Sequence, residues 1–122
     1  MWWDVIHAGQ EPPRMRVNRA RFSPGARTNW HSYVLGQALY VVSGVALIGT
    51  RGGTICEDHP SETVTCPPEE EHWHGATPDR FMEHLALWEG TGDGSTETTW
   101  AVPVTDDQYN SPRTRDLPRT TP

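Results

Sequence analysis

Lysine is missing from this chain of 122 residues; all ten of its basic residues are arginine, set against sixteen acidic ones, for a formal net charge of −6. That balance disfavours nucleic acid or an anionic membrane surface as a partner. Cysteine is almost missing as well. Cys56 and Cys66 are too few for a disulfide scaffold and too far apart for a thiol redox motif. Nothing approaches the run of about 18 apolar residues that a membrane-spanning helix needs. The start, Met1-Trp2-Trp3-Asp4, lacks a basic region followed by an apolar stretch, so no secretory signal is read and a cytoplasmic protein is expected. Helical periodicity over three turns is lacking too. What the chain does have is turn formers: 11 Gly and 11 Pro, with only 34% hydrophobic residues and a mean hydropathy of −0.67. Its length allows one domain and one core. Against this polar background stand six tryptophans and six histidines.

Short apolar and β-branched runs recur between breakers. Arg16 to Phe22 alternates before Ser23-Pro24-Gly25. Gln37 to Val42 stops at Ser43-Gly44, and Val45 to Ile48 ends near Gly52-Gly53. Glu62 to Cys66 halts at Pro67-Pro68, and Arg80 to Trp88 is closed by Gly90, Gly92 and Gly94. Strands at this spacing predict an all-β sandwich or barrel. The expected organisation is an N-terminal strand or arm over 1–15, a barrel over 16–110 and a polar tail over 111–122. Trp2 and Trp3 would be exposed in a monomer, so a homodimer that buries them is expected.

Four histidines fall beside strand runs. Side chains of equal parity share a face of a strand. His31 and Tyr33 therefore point one way, as do His72 and His74, and so do Met82, His84, Ala86 and Trp88. If these faces turn into a barrel, imidazoles, a phenol and an indole line one cavity. The remaining groups have ordinary readings. Cys66 is a small core residue, His7 and His59 are surface groups, and Glu69-Glu70-Glu71 is a solvated turn.

The ordered spacing resembles the cupin family. Its first motif is Gly, five residues, His-any-His, three or four residues, Glu, six residues, Gly; here it reads Gly25, His31, Tyr33, Gln37, Gly44. Its second is Gly, five residues, Pro-any-Gly, two residues, His, met here as Ser61, Pro67-Pro68-Glu69 and His72. The stretches from Phe22 to Thr28, Leu35-Gly36-Gln37, His72 to Pro78 and Met82 to Ala86 are similar to one group of small bacterial cupins. That group includes the manganese-dependent hydroxynitrile lyases and carboxymuconolactone-decarboxylase-like cupins. The resemblance implies a double-stranded β-helix, the jelly-roll barrel.

It also implies a divalent transition metal (Mn, Fe, Ni or Zn) held by His31, Gln37 and His72, with Tyr33 standing where a fourth ligand, a histidine, is usual. A phenol with an ordinary pKa near 10 must be deprotonated or strongly polarised to ligate well, so His74, His84 or Tyr33 itself is left to complete the shell. Ser61 and Glu69 replace glycines that normally adopt positive φ, which predicts local strain or a reshaped loop. Trp88 stands where the lyases carry a glutamine that handles cyanide, which argues against cyanohydrin cleavage and for a wider, flatter ligand. The leading expectation is a small lyase, isomerase or cyclase. In it His84 and His74 act as acid and base, and Tyr33 donates a hydrogen bond or ligates. Trp88, Met82, Trp30 and Leu39 pack a small apolar or aromatic carbonyl or hydroxy substrate. Two alternatives stand beside it: a metal-free cyclase or decarboxylase of natural-product biosynthesis, and a non-catalytic small-molecule binder.

Overall fold

The computed structural model describes residues 1–8, 14–93 and 95–115. Among these residues, eleven strands and one helical turn follow in order. They are β1 (Trp2–Ala8), β2 (Met15–Phe22), β3 (His31–Tyr33), β4 (Gln37–Ser43), β5 (Ala46–Thr50), β6 (Ile55–Asp58), β7 (Thr63–Cys66), β8 (His72–Ala76), β9 (Met82–Glu89), β10 (Thr98–Trp100), α1 (Asp106–Tyr109) and β11 (Arg113–Thr114). They form two sheets, β1-β2-β9-β4-β7 and β10-β3-β8-β5-β6-β11. The expected all-β jelly roll is the observed fold.

Alternation explains the layers. Along β9, Met82, His84 and Ala86 are buried while Glu83 and Leu85 are only partly so. Along β4, Gln37, Leu39 and Val41 point inward. These faces meet Phe22 of β2, Ile48 of β5 and Val64 of β7 in the core between the sheets. Strand β8 is buried at every position because both of its faces are covered. His72, His74 and Ala76 look into the barrel. Trp73 looks outward into a second dry cluster with Trp30, Leu47, Ile55, Val104 and Tyr109. Gly49 is required there: a Cβ would lie 2.0 Å from Trp73 Nε1.

The C-terminal segment builds that second cluster. Helix α1 is a single turn opened by a capping box between Thr105 and Gln108, and four residues are too few to carry a helical period. Tyr109 donates its hydroxyl to the Ala76 carbonyl at 2.6 Å, which ties the turn to the end of β8. The segment read as a polar tail from Ser111 supplies β11, which pairs in parallel with β6. The tail beyond Arg115 and the side chain of His7 lie outside the described residues. Strand β1 pairs with β2 on one side and forms the outer edge of its sheet, with Trp2, Trp3, Val5 and Ile6 exposed.

Both glycine replacements adopt the backbone that glycine favours, Ser61 at φ 71° and Glu69 at φ 63°. Neither loop has changed shape to avoid it. The Ser61 amide donates to the Val41 carbonyl at 2.9 Å and the Glu69 amide to the Tyr33 carbonyl at 2.8 Å. These bonds hold each residue in a left-handed conformation that costs an L-residue about 1–2 kcal/mol. Glycine would remove that cost while adding some unfolded-state entropy. The Glu69→Gly variant is therefore expected to be more stable by up to about 1 kcal/mol in urea denaturation. A loss of stability would mean that the Glu69 side chain makes a net favourable contact.

Candidate functional site

A cavity of about 230 Å³ opens between the sheets. Its floor is built by cross-strand register, with His31, Gln37, His74 and His84 in the lining and His72 just behind it, facing the space beside Ile48, Val64 and Cys66. His31 on β3 sits directly opposite His72 on β8, and their rings are 4.4 Å apart. His74 follows two residues on, on the same face of β8. Donor nitrogens of His31, His72 and His74 all lie within 4.8 Å of one another, so the three buried imidazoles could hold a metal ion. Gln37 enters from β4 and His84 from β9, both buried.

Hydrogen bonds fix which nitrogens face inward. His31 Nδ1 lies 2.8 Å from the Asn29 carbonyl. That nitrogen carries the proton, and Nε2 is left as a buried lone pair with no partner. His72 Nδ1 likewise lies 3.2 Å from the Glu70 carbonyl. Burial, reinforced by His31, pushes His72 down to about 4, so it is neutral at pH 7 and has one N–H to give. Spent on Glu70, that proton leaves Nε2 as an acceptor facing Gln37 Oε1 at 3.1 Å. Two acceptors in contact need a cation against both, or a half-turn of the Gln37 amide that offers its NH₂ to His72. Adjacent ligands of a small divalent ion stand about 3 Å apart. The donor set fits the metal that the cupin resemblance implies.

His74 and His84 form a second pair. His84 Nε2 and His74 Nδ1 are 3.0 Å apart, so one ring donates to the other. His74 Nε2 and His84 Nδ1 have no partner. Phe22 packs against both rings. Burial holds His74 well below its ordinary range, with the neighbouring imidazoles adding to the effect, and burial pushes His84 down to about 4. All four floor imidazoles are therefore neutral near pH 7, because His31 is lowered by burial too. Tyr33 moves the opposite way. Burial raises its phenol above 10, against weaker hydrogen bonds to Thr98 and Gln37. It keeps its proton and offers an O–H donor rather than a phenolate ligand.

The four residues expected to pack substrate separate. Trp88 lines the cavity. Met82 and Leu39 are inside the barrel but fully buried in the core, outside the cavity lining. Trp30 is on the other side of the sheet. It precedes His31 and so takes the opposite face, where its indole donates to Gln108 Oε1 at 3.1 Å under the Arg51 guanidinium. It does not line the cavity. The mouth is instead made by Met1, Trp3, Trp88 and Trp100. Trp100 pairs with His31 across β10 and β3, and its ring lies 4.8 Å from that imidazole. The alternation Thr98-Thr99-Trp100 was the available signal, since it puts Thr98 and Trp100 on one face. His59 sits apart from the cavity, 3.3 Å from Glu57. Among the described residues, no Arg, Asp or Glu side chain lines the cavity.

No family model matches the chain. The (R)-mandelonitrile lyase of Granulicella tundricola is 41% identical over 106 residues, covering 87% of this chain and 79% of that protein. A cupin-like protein from Thermotoga maritima superposes with a TM-score of 0.75 at 30% identity, over 88% of this chain and 80% of its own. A chain from the crystal structures of the DMSP lyases RdDddP and RnDddQII is 25% identical with a TM-score of 0.65, over 81% of this chain and 51% of its own.

Proposed function

This chain belongs to the cupin family, and from that premise we propose that it is a small metal-dependent lyase, isomerase or cyclase acting on a neutral aryl or apolar carbonyl or hydroxy compound. The observation that carries the reading is the buried cluster of His31, His72 and His74, whose nitrogens lie within 4.8 Å of one another, with His31 Nε2 left without a partner. His31 and His72 would hold the metal with Gln37 as the third ligand, which leaves the remaining imidazole of the cluster, His74, free to act as a base. When bound, it supplies Lewis acidity to a substrate carbonyl or hydroxyl oxygen.

The chain's own groups do the rest. His74 Nε2 opens on the same floor and accepts a proton from the substrate. His74 Nδ1 then passes its proton to His84 Nε2 at 3.0 Å, spreading the charge over two rings. Both imidazoles are weak bases where they sit, so they deprotonate only a substrate that has first been acidified. Tyr33 donates a hydrogen bond to the substrate oxygen. The aromatic mouth takes the ring, and the absence of lining Arg, Asp and Glu among the described residues favours an uncharged ligand. A benzylic alcohol or an aryl ketone, with a flat apolar ring and one polar oxygen beside it, has this polarity.

Elemental analysis of protein purified without a histidine tag tests the reading. About one equivalent of Mn, Fe, Ni or Zn is expected, with affinity falling by more than about 100-fold in His31→Ala. A metal-free preparation whose activity survives chelation would overturn it and favour a metal-independent cyclase or decarboxylase.

A further inference from the structure

The cavity mouth contains one aromatic wall that is held from behind by a carboxylate. The Trp88 indole N–H donates to Glu97 Oε1 at 2.9 Å. Arg16 grips the same carboxylate, Nε to Oε1 at 3.2 Å and a terminal nitrogen to Oε2 at 2.9 Å. Arg16 and Trp88 are direct cross-strand partners on β2 and β9, so the guanidinium reaches Glu97 beside the indole it supports. The Glu97 carbonyl accepts from the Val34 amide at 3.0 Å, which anchors its backbone to the turn between β3 and β4. Gly90 leaves room for the clamp: a Cβ would come within 2.9 Å of Arg16 and 3.1 Å of Glu97 Oε2. On its other side the indole meets the Tyr33 ring at 5.2 Å.

An indole at a cavity mouth would ordinarily sample several rotamers. Here its N–H end is fixed, and the fixing groups are themselves tied to three separate chain segments. Glu97 and Arg16 are absent from the cavity lining, so they act on a ligand only through Trp88. We propose that Glu97, oriented by Arg16, is a positioning residue that preorganises Trp88 as a flat binding wall and thereby selects aryl over saturated ligands. The proposal rests on the reading that this cavity takes a small neutral compound. Its energetic logic is that a wall already in place costs the ligand no ordering of a large side chain. Flat aromatic faces then contribute beyond their buried area.

The test compares 2-naphthol with decahydro-2-naphthol, flat and saturated forms of the same carbon skeleton, by calorimetric titration of the wild-type protein and three variants. Wild type is expected to prefer 2-naphthol. Glu97→Ala should weaken 2-naphthol about tenfold and decahydro-2-naphthol by less than threefold. Glu97→Gln keeps an acceptor oxygen for the indole and should stay within about threefold of wild type for both. In a Trp88→Phe background, which has no N–H to hold, Glu97→Ala should add no further loss. Equal weakening of both ligands, loss of selectivity in Glu97→Gln as large as in Glu97→Ala, a further loss in the Trp88→Phe background, or no wild-type preference would each overturn the proposal. Metal content measured on every sample separates this from the catalytic reading. Wild-type protein that holds metal yet shows no aryl preference sinks the clamp alone, and wild-type protein that prefers the aryl ligand without holding metal sinks the metal reading alone.

Discussion

Metal-free protein loses several kcal/mol of stability as the pH falls from about 6.5 to about 4. His72 and His84 are each held near 4 in the fold, mainly by burial, against an ordinary value of 6.5. Between those limits the unfolded chain binds protons that the native state refuses, so stability falls as pH falls. It is complete above about 6.5 and levels off below the folded values. Each histidine contributes about 3 kcal/mol on this basis, and His31 and His74 shift in the same direction. The sum is comparable with the roughly 5–15 kcal/mol that holds a domain together. Urea midpoints collected across this range in the presence of a chelator measure the effect. Asp93, held at about 2 by hydrogen bonds from Ser95, titrates lower and does not obscure it. Midpoints that stay flat between pH 6.5 and 4.5 would mean that the floor imidazoles are already hydrated and free to charge.

Replacement of His84 by alanine lowers turnover by about 100-fold or more. The expected cause is specific. His84 Nε2 is the second station for the proton that His74 takes up, and alanine leaves His74 Nδ1 with no group to receive it. His59→Ala is the matched control, because its ring pairs with Glu57 away from the cavity. Assays on wider aryl hydroxy compounds and aryl ketones would show the difference in rate with metal content unchanged. An unaltered rate in the His84 variant would remove the dyad from the mechanism.

Much of this site is legible in the chain because strand parity is a strict rule. It places His31 with Tyr33, His72 with His74, and Met82 with His84 and Trp88. Parity gives the face and not the depth. Met82 and Leu39 therefore point inward as expected, yet they close the packed end of the barrel instead of lining its open end. Trp30 shows the complementary case: a residue one step from a site histidine goes to the opposite side of the sheet. Trp3 and Trp100 reach the mouth through pairings of β1 with β2 and of β10 with β3. Alternation gives the face of Trp100 but not its partner, because β10 pairs with a strand from the far earlier part of the chain, and for Trp3 it does not tell which side of the sheet the edge strand β1 covers. Ser61 and Glu69 were legible because the motif demands a backbone shape whatever the residue, and they adopt it.

The clothing of β8 on both faces has a consequence for how this protein can change. The imidazole floor leans on an outer layer supplied by Trp30, Trp73, Val104 and Tyr109, while the mouth is furnished by β1, β9 and β10. Mutations that reshape the entrance need not disturb the layer that aims the histidines. Variants with a new ligand preference should therefore arise in few steps, by exchange of Trp3, Trp88 or Trp100. Substitutions behind β8 would lose the chemistry and the fold together. Ligand preference is then the part of this molecule that its packing leaves free to vary, and the imidazole floor the part that packing on both faces of β8 holds fixed.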